Sequence, residues 1–506
     1  MFESINKTRN FKKQVKEPSS KGEMKVGKND KVVVTIENQG YFAEGIAKID
    51  GKVTIIPFAL AKEKHEVQII KDTKNMFVAK SINIIKKSEN RIDPPCMYYG
   101  KCGGCDMQHV CESEALKCKT QMVKGAFESI AKMNVEVKET LPSRKQFEYR
   151  NKFALPLRTI NNKVSVCMYR ANSHDVIAIN KCMLCVPQSN EIIELFLNFA
   201  NKFKLTAYDE CTGKGLLKFL VVRFVGELPL ITIVINDDKL PFVTDLEYML
   251  KKKYQQYSLS LNINKTKGNV ILTNDFVFVS GTESIMHESL SIKQRISSAS
   301  FMQVNDEVRD VLYSSVASET ANADVVIDAY SGAGMLSAII SLSAHEVYGI
   351  EIVKEATNNA NEICSLNNIK NLTNICGDCK IELPQVASRV AGKMVTIVLD
   401  PPRRGCDSDV IECVKQVAPT KLIYVSCNPS TLARDIALFL EKNDNYIIKS
   451  IQPFDMFPQT SNVETMIVLV KKQSRKTASS HNDAFKKQYF GYYDDIKSTA
   501  FGLDDW

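Results

Sequence analysis

The sequence has no run of about 18 apolar residues, the length that a helix needs to cross a membrane. The N-terminal stretch MFESINKTRNFKKQVK lacks the apolar core and the small-residue cleavage site of a secretory signal. Neither a membrane protein nor a secreted protein is therefore expected. The sequence predicts a cytoplasmic location.

Regularly spaced cysteine pairs are also missing. The chain has 15 cysteines, an odd number at irregular spacing, so a disulfide framework is a poor interpretation and thiol catalysis or metal binding is favoured. Acidic residues are in the minority, because 66 lysines and arginines face 58 aspartates and glutamates. The net charge of +8 is compatible with a polyanionic partner without requiring one.

The length of 506 residues predicts about three domains. Short strand patterns with basic edges fill residues 25–88, and Asp50-Gly51 between two of them is a strong hairpin signal. They favour a small OB-like barrel, and these residues alone leave open whether it binds RNA or is an all-β module without a ligand. The predicted parts are a basic, flexible arm at 1–24, the barrel at 25–88, a central α+β region at 89–299, an α/β domain at 300–470 and a polar tail at 471–506.

Buried-strand patterns alternate with helix patterns from residue 300 to residue 470. The runs VVIDAY, VYGIE, TIVLD and LIYVSC are apolar almost throughout, which is typical of strands covered on both faces. This rhythm predicts a doubly wound α/β sheet. Ligands of such sheets bind beyond the carboxyl ends of the strands.

Residues typical of a nucleoside site follow these strands. The first strand ends in the small-residue turn Asp328–Gly334, and the second ends at Glu351, where an acid can bind both hydroxyls of a ribose. Ser337 stands where a dinucleotide-binding turn has its third glycine, which favours S-adenosylmethionine over NAD. Asp378 lies where a third strand is expected to end. A tight turn without a ligand and an ordinary loop acid are the alternatives.

Two further strand ends carry reactive groups. Asp400–Gly405, with the sequence DPPRRG, forms a stiff loop because its two prolines fix the backbone. Cys427 follows the next strand and precedes a helix, whose N-terminus is expected to lower the thiol pKa. Glu464 immediately precedes the last apolar strand. The alternatives are a structural buried cysteine and a surface acid.

Together these motifs resemble the RNA 5-methyluridine (uracil-C5) methyltransferase family over roughly residues 25–470. The resemblance implies S-adenosylmethionine as the cofactor, Cys427 as the nucleophile and Glu464 as the general base. It also implies that Phe301 faces the target base. The matching runs are SFMQVN (Ser300–Asn305), DAYSGAGMLS, GIE, GDC, LDPPRRG, YVSCNP and VET, and the cofactor contacts that they imply are Gln303, Tyr330, Glu351, Asp378 and Asp400.

The chemistry of such a reaction explains the need for a thiol and a base. Carbon 5 of uracil is a poor nucleophile. Addition of a thiolate to carbon 6 places electron density on carbon 5, which then attacks the methyl group. A base must afterwards remove the proton from carbon 5 so that the thiol can leave.

The cysteine run Cys96-x5-Cys102-Gly-Gly-Cys105 suits zinc, an iron–sulfur cluster or a redox pair. The resemblance implies a 4Fe-4S cluster with Cys182 as its fourth ligand, and Cys185 is a rival for that position. A predicted helix at about 109–131 follows the run and is expected to pack with the catalytic domain.

By the same resemblance, residues 25–88 are a TRAM module, an RNA-binding OB-like barrel. The barrel and the cysteine run together indicate the branch that acts on large-subunit ribosomal RNA rather than transfer RNA. A monomer is expected. The competing hypotheses are a non-enzymatic RNA-binding protein of ribosome assembly, which needs neither Cys427 nor Glu464, and a nicotinamide-dependent oxidoreductase, which lacks its third glycine.

Overall fold

The computed structural model describes residues 26–40 and 43–472. The predicted arm at 1–24 and the predicted tail beyond Lys472 lie outside the described residues. Two compact units divide the chain: one holds the described residues up to Pro95 together with Asp106–Cys118, and the other holds Cys96–Cys105 and the described residues from Lys119 onward. No helix within the described ranges has both the length and the apolar character of a membrane span.

The first unit is built on a six-stranded sheet in the order β1-β5-β6-β4-β3-β2. Its strands are β1 (Lys31–Thr35), β2 (Asn38–Gln39), β3 (Gly45–Ile49), β4 (Lys52–Ile56), β5 (Lys64–Asp72) and β6 (Met76–Lys86). At one end of the sheet β1 pairs with β5, and at the other end β2 pairs with β3. Because β2 follows β1 directly along the chain, the two ends of the sheet are joined and the sheet closes on itself. Inward-facing Val, Ile, Ala and Phe side chains fill the interior. The predicted OB-like barrel is confirmed.

The hairpin predicted at Asp50-Gly51 is also confirmed. Ile49 pairs with Lys52 across a two-residue turn, and both turn residues have positive φ. That conformation matches the right-handed twist of the flanking strands, and Asp-Gly adopts it readily.

One helix runs along the chain from the first unit into the second. α1 (Glu112–Ala126) continues into a π-helical turn, Phe127–Ala131. The helix therefore begins three residues later than the predicted 109.

The second unit contains a mixed seven-stranded sheet in the order β13-β12-β11-β10-β7-β8-β9. Two helices cover one face of this sheet and share its apolar core. The elements are β7 (Lys152–Ile160), β8 (Lys163–Tyr169), β9 (Val176–Ala178), α2 (Gln188–Lys202), β10 (Leu217–Val225), β11 (Leu228–Ile235), α3 (Val243–Lys253), β12 (Ser258–Ile263) and β13 (Phe276–Gly281). A hairpin of β14 (Ser284–Ser289) and β15 (Ile292–Ser297) follows.

The rest of the second unit is the predicted doubly wound sheet, in the order β18-β17-β16-β19-β20-β22-β21. Its elements are α4 (Asp306–Thr320), β16 (Val325–Ala329), α5 (Met335–Ser341), β17 (Glu346–Glu351), α6 (Lys354–Leu366), β18 (Leu372–Cys376), α7 (Cys379–Arg389), β19 (Val395–Leu399), α8 (Ser408–Val417), β20 (Lys421–Ser426), α9 (Pro429–Leu440), β21 (Tyr446–Phe454) and β22 (Glu464–Lys471). β16 to β20 are parallel, and β22 is antiparallel to both of its neighbours.

The sheet reverses its winding direction at β16, because β17 and β18 lie on one side and β19 and β20 on the other. Such a switch point opens a crevice at the carboxyl ends of the parallel strands. The Gly-rich turn after β16 and the DPPRRG loop after β19 both begin there.

Candidate active site

Cys427 and Glu464 are brought together by the pairing of β20 with β22. Ser426 pairs with Thr465 in this antiparallel ladder. Cys427 directly follows β20 and Glu464 is the first residue of β22, so the pairing brings both residues to the same end of the ladder. The Glu464 carboxyl is close enough to raise the pKa of the Cys427 thiol. The thiol and the carboxyl group therefore share one site.

The Cys427 thiol lies among charged groups of both signs. Burial raises its pKa, and the nearby Glu464 carboxyl raises it further. The Arg403 side chain hydrogen-bonds the thiol and acts in the opposite direction. The expectation that the following helix lowers the thiol pKa is therefore wrong for the net direction, because desolvation and a facing acid dominate.

Glu464 is a buried acid that lies near the partly buried Asp400. Glu464 is only 3% exposed, and burial, with Asp400 as the second cause, raises its pKa well above the usual range. Burial also raises the pKa of Asp400, to about 7. A carboxyl group with a raised pKa is a stronger base once it is ionised.

Residues of helix α9 hold the DPPRRG loop in place through hydrogen bonds. Asp435 accepts hydrogen bonds from the backbone N–H of Cys406 (2.8 Å) and from the Tyr424 hydroxyl (2.6 Å). Gly405 has φ +78°, and a Cβ there would come within 2.5 Å of the Asp435 carboxylate. The Arg403 carbonyl accepts from Asn428, which caps α9. These contacts hold Arg403 next to Cys427.

The turn after β16 approaches Glu351 at the end of β17. The Gly332 N–H donates to Glu351 Oε2 (3.0 Å), and the Val353 N–H donates to Oε1 (2.8 Å). Gly334 has φ +83°, and a Cβ at this position would lie 2.5 Å from that of Ala360. A Cβ on Gly332 would meet no atom of the described residues within 4 Å. The turn is thus packed on its protein side and open at Gly332.

Two other candidate cofactor residues lie at the same edge of the sheet. Tyr330 follows β16 in the left-handed conformation, with φ +68°. Burial raises its pKa, and its hydroxyl interacts with Cys406, which directly follows the DPPRRG loop. Asp378 caps α7 by accepting from the Lys380 N–H at 3.0 Å.

Gln303 is placed differently. It lies in the connection between β15 and α4, and its carbonyl accepts from the Asn151 side chain at 3.0 Å. This hydrogen bond ties Gln303 to the segment before β7, whereas Tyr330 and Glu351 follow strands of the doubly wound sheet. The neighbouring Phe301 is 75% exposed, an unusual position for a phenylalanine.

Two residues just before β7 form hydrogen bonds to distant segments that flank the doubly wound sheet. The Asn151 side-chain amide donates both to the Gln303 carbonyl and to the Asp306 carboxylate of α4 (3.0 Å each). The Tyr149 hydroxyl donates to the carbonyl of Pro458 (3.1 Å), in the loop that leads to Glu464. Sequence reasoning offers no mechanism for these residues, because their partners are more than 150 positions away.

The cysteines of the predicted cluster are neighbours in the second unit. Burial raises the pKa of Cys102, and the nearby Cys182 and Cys96 contribute. Cys185 hydrogen-bonds Cys182, which lowers the pKa of Cys182 and raises that of Cys185. However, the described residues include no group of three or more His, Cys, Asp or Glu arranged to hold a metal ion. The cluster therefore stays a prediction.

The winding of the sheet, the open glycine turn and the acid at the end of β17 define a methyltransferase-type α/β domain. Residues 112–472 match the model of the tRNA (uracil-5-)-methyltransferase family, and residues 25–80 match the TRAM domain. The chain belongs to this family.

Relatives and solved structures are consistent with this assignment. An RNA methyltransferase of Clostridium tetani is 36% identical over 462 residues, covering 90% of this chain and 100% of the relative. One of Listeria innocua is 36% identical over 450 residues, covering 88% and 98%. The tRNA (uracil-54, C5)-methyltransferase of Pyrococcus abyssi, solved with S-adenosyl-L-homocysteine, has a TM-score of 0.70 at 23% identity and covers 87% of this chain and 99% of its own. This last likeness shows the fold.

Proposed function

We propose that the protein transfers a methyl group from S-adenosylmethionine to carbon 5 of a uridine in RNA through a covalent adduct with Cys427. The proposal rests mainly on one observation. The Cys427 thiol directly follows β20, the buried Glu464 carboxyl begins the paired strand β22, and the carboxyl group acts on the pKa of the thiol. Family membership supports the same reaction class.

In the first step, the Cys427 thiolate adds to carbon 6 of the uracil, and the electron pair of the 5,6 double bond moves to carbon 5. Arg403 stabilises the thiolate, since its guanidinium hydrogen-bonds the sulfur. S-adenosylmethionine would supply the electrophilic methyl group to carbon 5, with cleavage of its sulfonium–methyl bond and release of S-adenosylhomocysteine.

In the last step, the Glu464 carboxylate takes the proton from carbon 5. The electrons of that C–H bond restore the double bond, and the bond between sulfur and carbon 6 breaks. The product is 5-methyluridine, and Cys427 leaves as a thiolate. The high pKa of Glu464 suits this role, because a weakly acidic carboxyl group binds a proton tightly.

The methyl donor is proposed to lie over the turn after β16. Glu351 would bind the ribose hydroxyls, and the open side of Gly332 allows close approach of a ligand. The resemblance adds Gln303, Tyr330, Asp378 and Asp400 as contacts. Asp400 also adjoins Glu464, so it links the cofactor position to the reacting groups.

For the substrate, we propose a uridine of large-subunit ribosomal RNA. A TRAM barrel combined with the cysteine run Cys96, Cys102 and Cys105 supports this choice by resemblance. Transfer RNA is the alternative, because the Pyrococcus abyssi protein of similar fold is a tRNA (uracil-54, C5)-methyltransferase.

We also propose a 4Fe-4S cluster on Cys96, Cys102, Cys105 and Cys182. Its support is the spacing of the first three cysteines and the proximity of Cys182 to Cys102. No catalytic step depends on this cluster.

The test is to map 5-methyluridine in ribosomal and transfer RNA from a strain that lacks the gene. One uridine should lose its methyl group in the deletion strain. A plasmid copy of the wild type should restore it, and a Cys427→Ala copy should not. A complete 5-methyluridine map in the deletion strain would overturn the proposal, and a loss confined to transfer RNA would change the substrate.

A further inference from the structure

Arg223 on β10 is a buried cation without a hydrogen-bond acceptor for the end of its side chain. The residue is only 3% exposed, and both terminal nitrogens of its guanidinium are buried with no partner among the described residues. Burial lowers its pKa to about 10, so the group is still charged at neutral pH. Unpaired buried charges are rare, because desolvation costs several kcal/mol per ion.

The surroundings of Arg223 add positive charge. Lys152 is directly opposite on β7, so both side chains project from the same face of the sheet. Burial, together with the charges of Arg223 and Arg150, lowers the pKa of Lys152 to about 8. Like charges directly opposite each other destabilise a strand pair. The arrangement therefore has an energetic cost that the fold does not require.

Asp306, the acid near Arg223, forms no ion pair with the Arg223 guanidinium. Asp306 interacts with Arg223 through its charge, but its Oδ1 accepts hydrogen bonds from Arg309 (2.7 Å) and from the Asn151 amide (3.0 Å) rather than from Arg223. Neither terminal nitrogen of Arg223 hydrogen-bonds this acid among the described residues. A dianionic or monoanionic oxygen ligand would supply the missing acceptors.

We propose that Arg223 and Lys152 bind a backbone phosphate of the substrate RNA beside the target uridine. The strand end that carries Lys152 adjoins Asn151, whose N–H donates to the Val304 carbonyl (2.9 Å). This bond ties the cationic group to the connection that presents the exposed Phe301. That connection has no strand pairing between Ser297 and α4. The inference rests on the proposed function, because it takes RNA as the ligand.

The test uses the full chain and the salt dependence of its binding to poly(U). Arg223→Met should lower the slope of log binding constant against log salt concentration by about 0.7, the contribution of one single-strand phosphate contact. Lys152→Met should do the same. If both side chains hold one phosphate, the double variant should lose little more than either single variant. In a methylation assay, KM for RNA should rise while kcat at saturating RNA stays near wild type.

A thermal melt separates this role from a structural one. Removal of an unpaired buried cation should leave the melting temperature unchanged or raise it. Lys251→Met, which removes an exposed charge on α3, should leave the slope unchanged and serves as the control. A lower melting temperature with an unchanged slope in both Arg223→Met and Lys152→Met would overturn the proposal.

The salt dependence of poly(U) binding is measured without any methylation. A wild type that binds poly(U) with the predicted slopes but forms no 5-methyluridine would therefore refute the proposed function and leave the phosphate site standing.

Discussion

Cys427 directly follows β20 and Glu464 begins β22, so the two residues flank the last pair of this ladder, Ser426 and Thr465. The two residues are far apart in the chain, and only the antiparallel insertion of β22 next to β20 joins them. Their electrostatics are coupled as a result, since the Glu464 carboxyl raises the pKa of the Cys427 thiol. Both proposed chemical roles therefore depend on one strand pairing.

Cys427→Ala should abolish methylation and any covalent enzyme–RNA species, because the group that attacks carbon 6 is gone. RNA with 5-fluorouridine at the target should trap the wild type as a slow band on a denaturing gel, since fluorine cannot leave as a cation. Cys211→Ala, at an exposed cysteine, should behave as wild type. A wild type that forms no adduct with the fluorinated RNA would rule out covalent catalysis.

Glu464→Gln should allow thiol addition and methyl transfer but block proton removal, because an amide keeps the shape of the carboxyl group and cannot accept the proton. An adduct that carries the methyl group should accumulate with unmodified RNA, and mass spectrometry of the adduct detects it. Turnover should fall by about 100-fold or more, the usual contribution of a general base. Near-normal turnover without an adduct would move the base elsewhere, with Asp400 as the next candidate.

Arg403→Met should shift the pH dependence of methylation. The Cys427 pKa is raised by burial and by Glu464, so the thiolate fraction grows as the pH rises, and the rate grows with it. Arg403 lowers that pKa, and its loss should move the ascending limb of kcat/KM to higher pH and slow the reaction at neutral pH. Arg404→Met is the matched control, because the adjacent arginine is exposed and pairs with Asp407. Identical profiles for both variants would show that Arg403 does not act on the thiol.

Arg91→Met should destabilise the barrel. Burial raises the pKa of Glu63, but hydrogen bonds from Arg91 and His65 outweigh it and hold that pKa well below the usual range. Loss of one partner of a buried pair typically costs about 3–5 kcal/mol. Adding Glu63→Gln should recover part of this loss, and urea unfolding followed at the barrel measures both effects.

The ion pair of Arg91 and Glu63 makes the stability of the barrel depend on pH in a defined direction. The folded pKa of Glu63 is depressed, so its stabilising contribution is present above the unfolded value of 4.5 and is lost as the pH falls towards the folded value. The difference in unfolding free energy between wild type and Arg91→Met should therefore shrink on acidification below 4.5. A difference that is constant with pH would mean that the pair is not the cause.

Protein purified without oxygen should be brown and carry about four irons per chain if the cluster proposal is correct. Cys182→Ala should lose the colour, and Cys185→Ala should keep it, because Cys185 is buried while Cys182 is partly exposed near Cys102. If only Cys185→Ala lost the colour, Cys185 would be the fourth ligand of the cluster in place of Cys182. A colourless protein with one zinc ion would replace the cluster with a zinc site.

Local patterns in the sequence determined the elements of the fold. Apolar runs at Val325–Ala329 and Val395–Leu399 predict buried parallel strands because both faces of such strands must avoid water. Asp50-Gly51 predicts a hairpin because its backbone tolerates positive φ. The positions of Cys427 and Glu464 at strand ends follow from the same patterns.

Only the tertiary structure decided which distant groups meet and what they do to one another. The direction of the Cys427 pKa shift depends on burial and on Glu464 and Arg403, which come from other segments. The roles of Tyr149 and Asn151, and the unpaired guanidinium nitrogens of Arg223 among the described residues, likewise follow from how distant segments pack. Desolvation and Coulomb energies depend on distances in space, and a linear pattern contains no such distances.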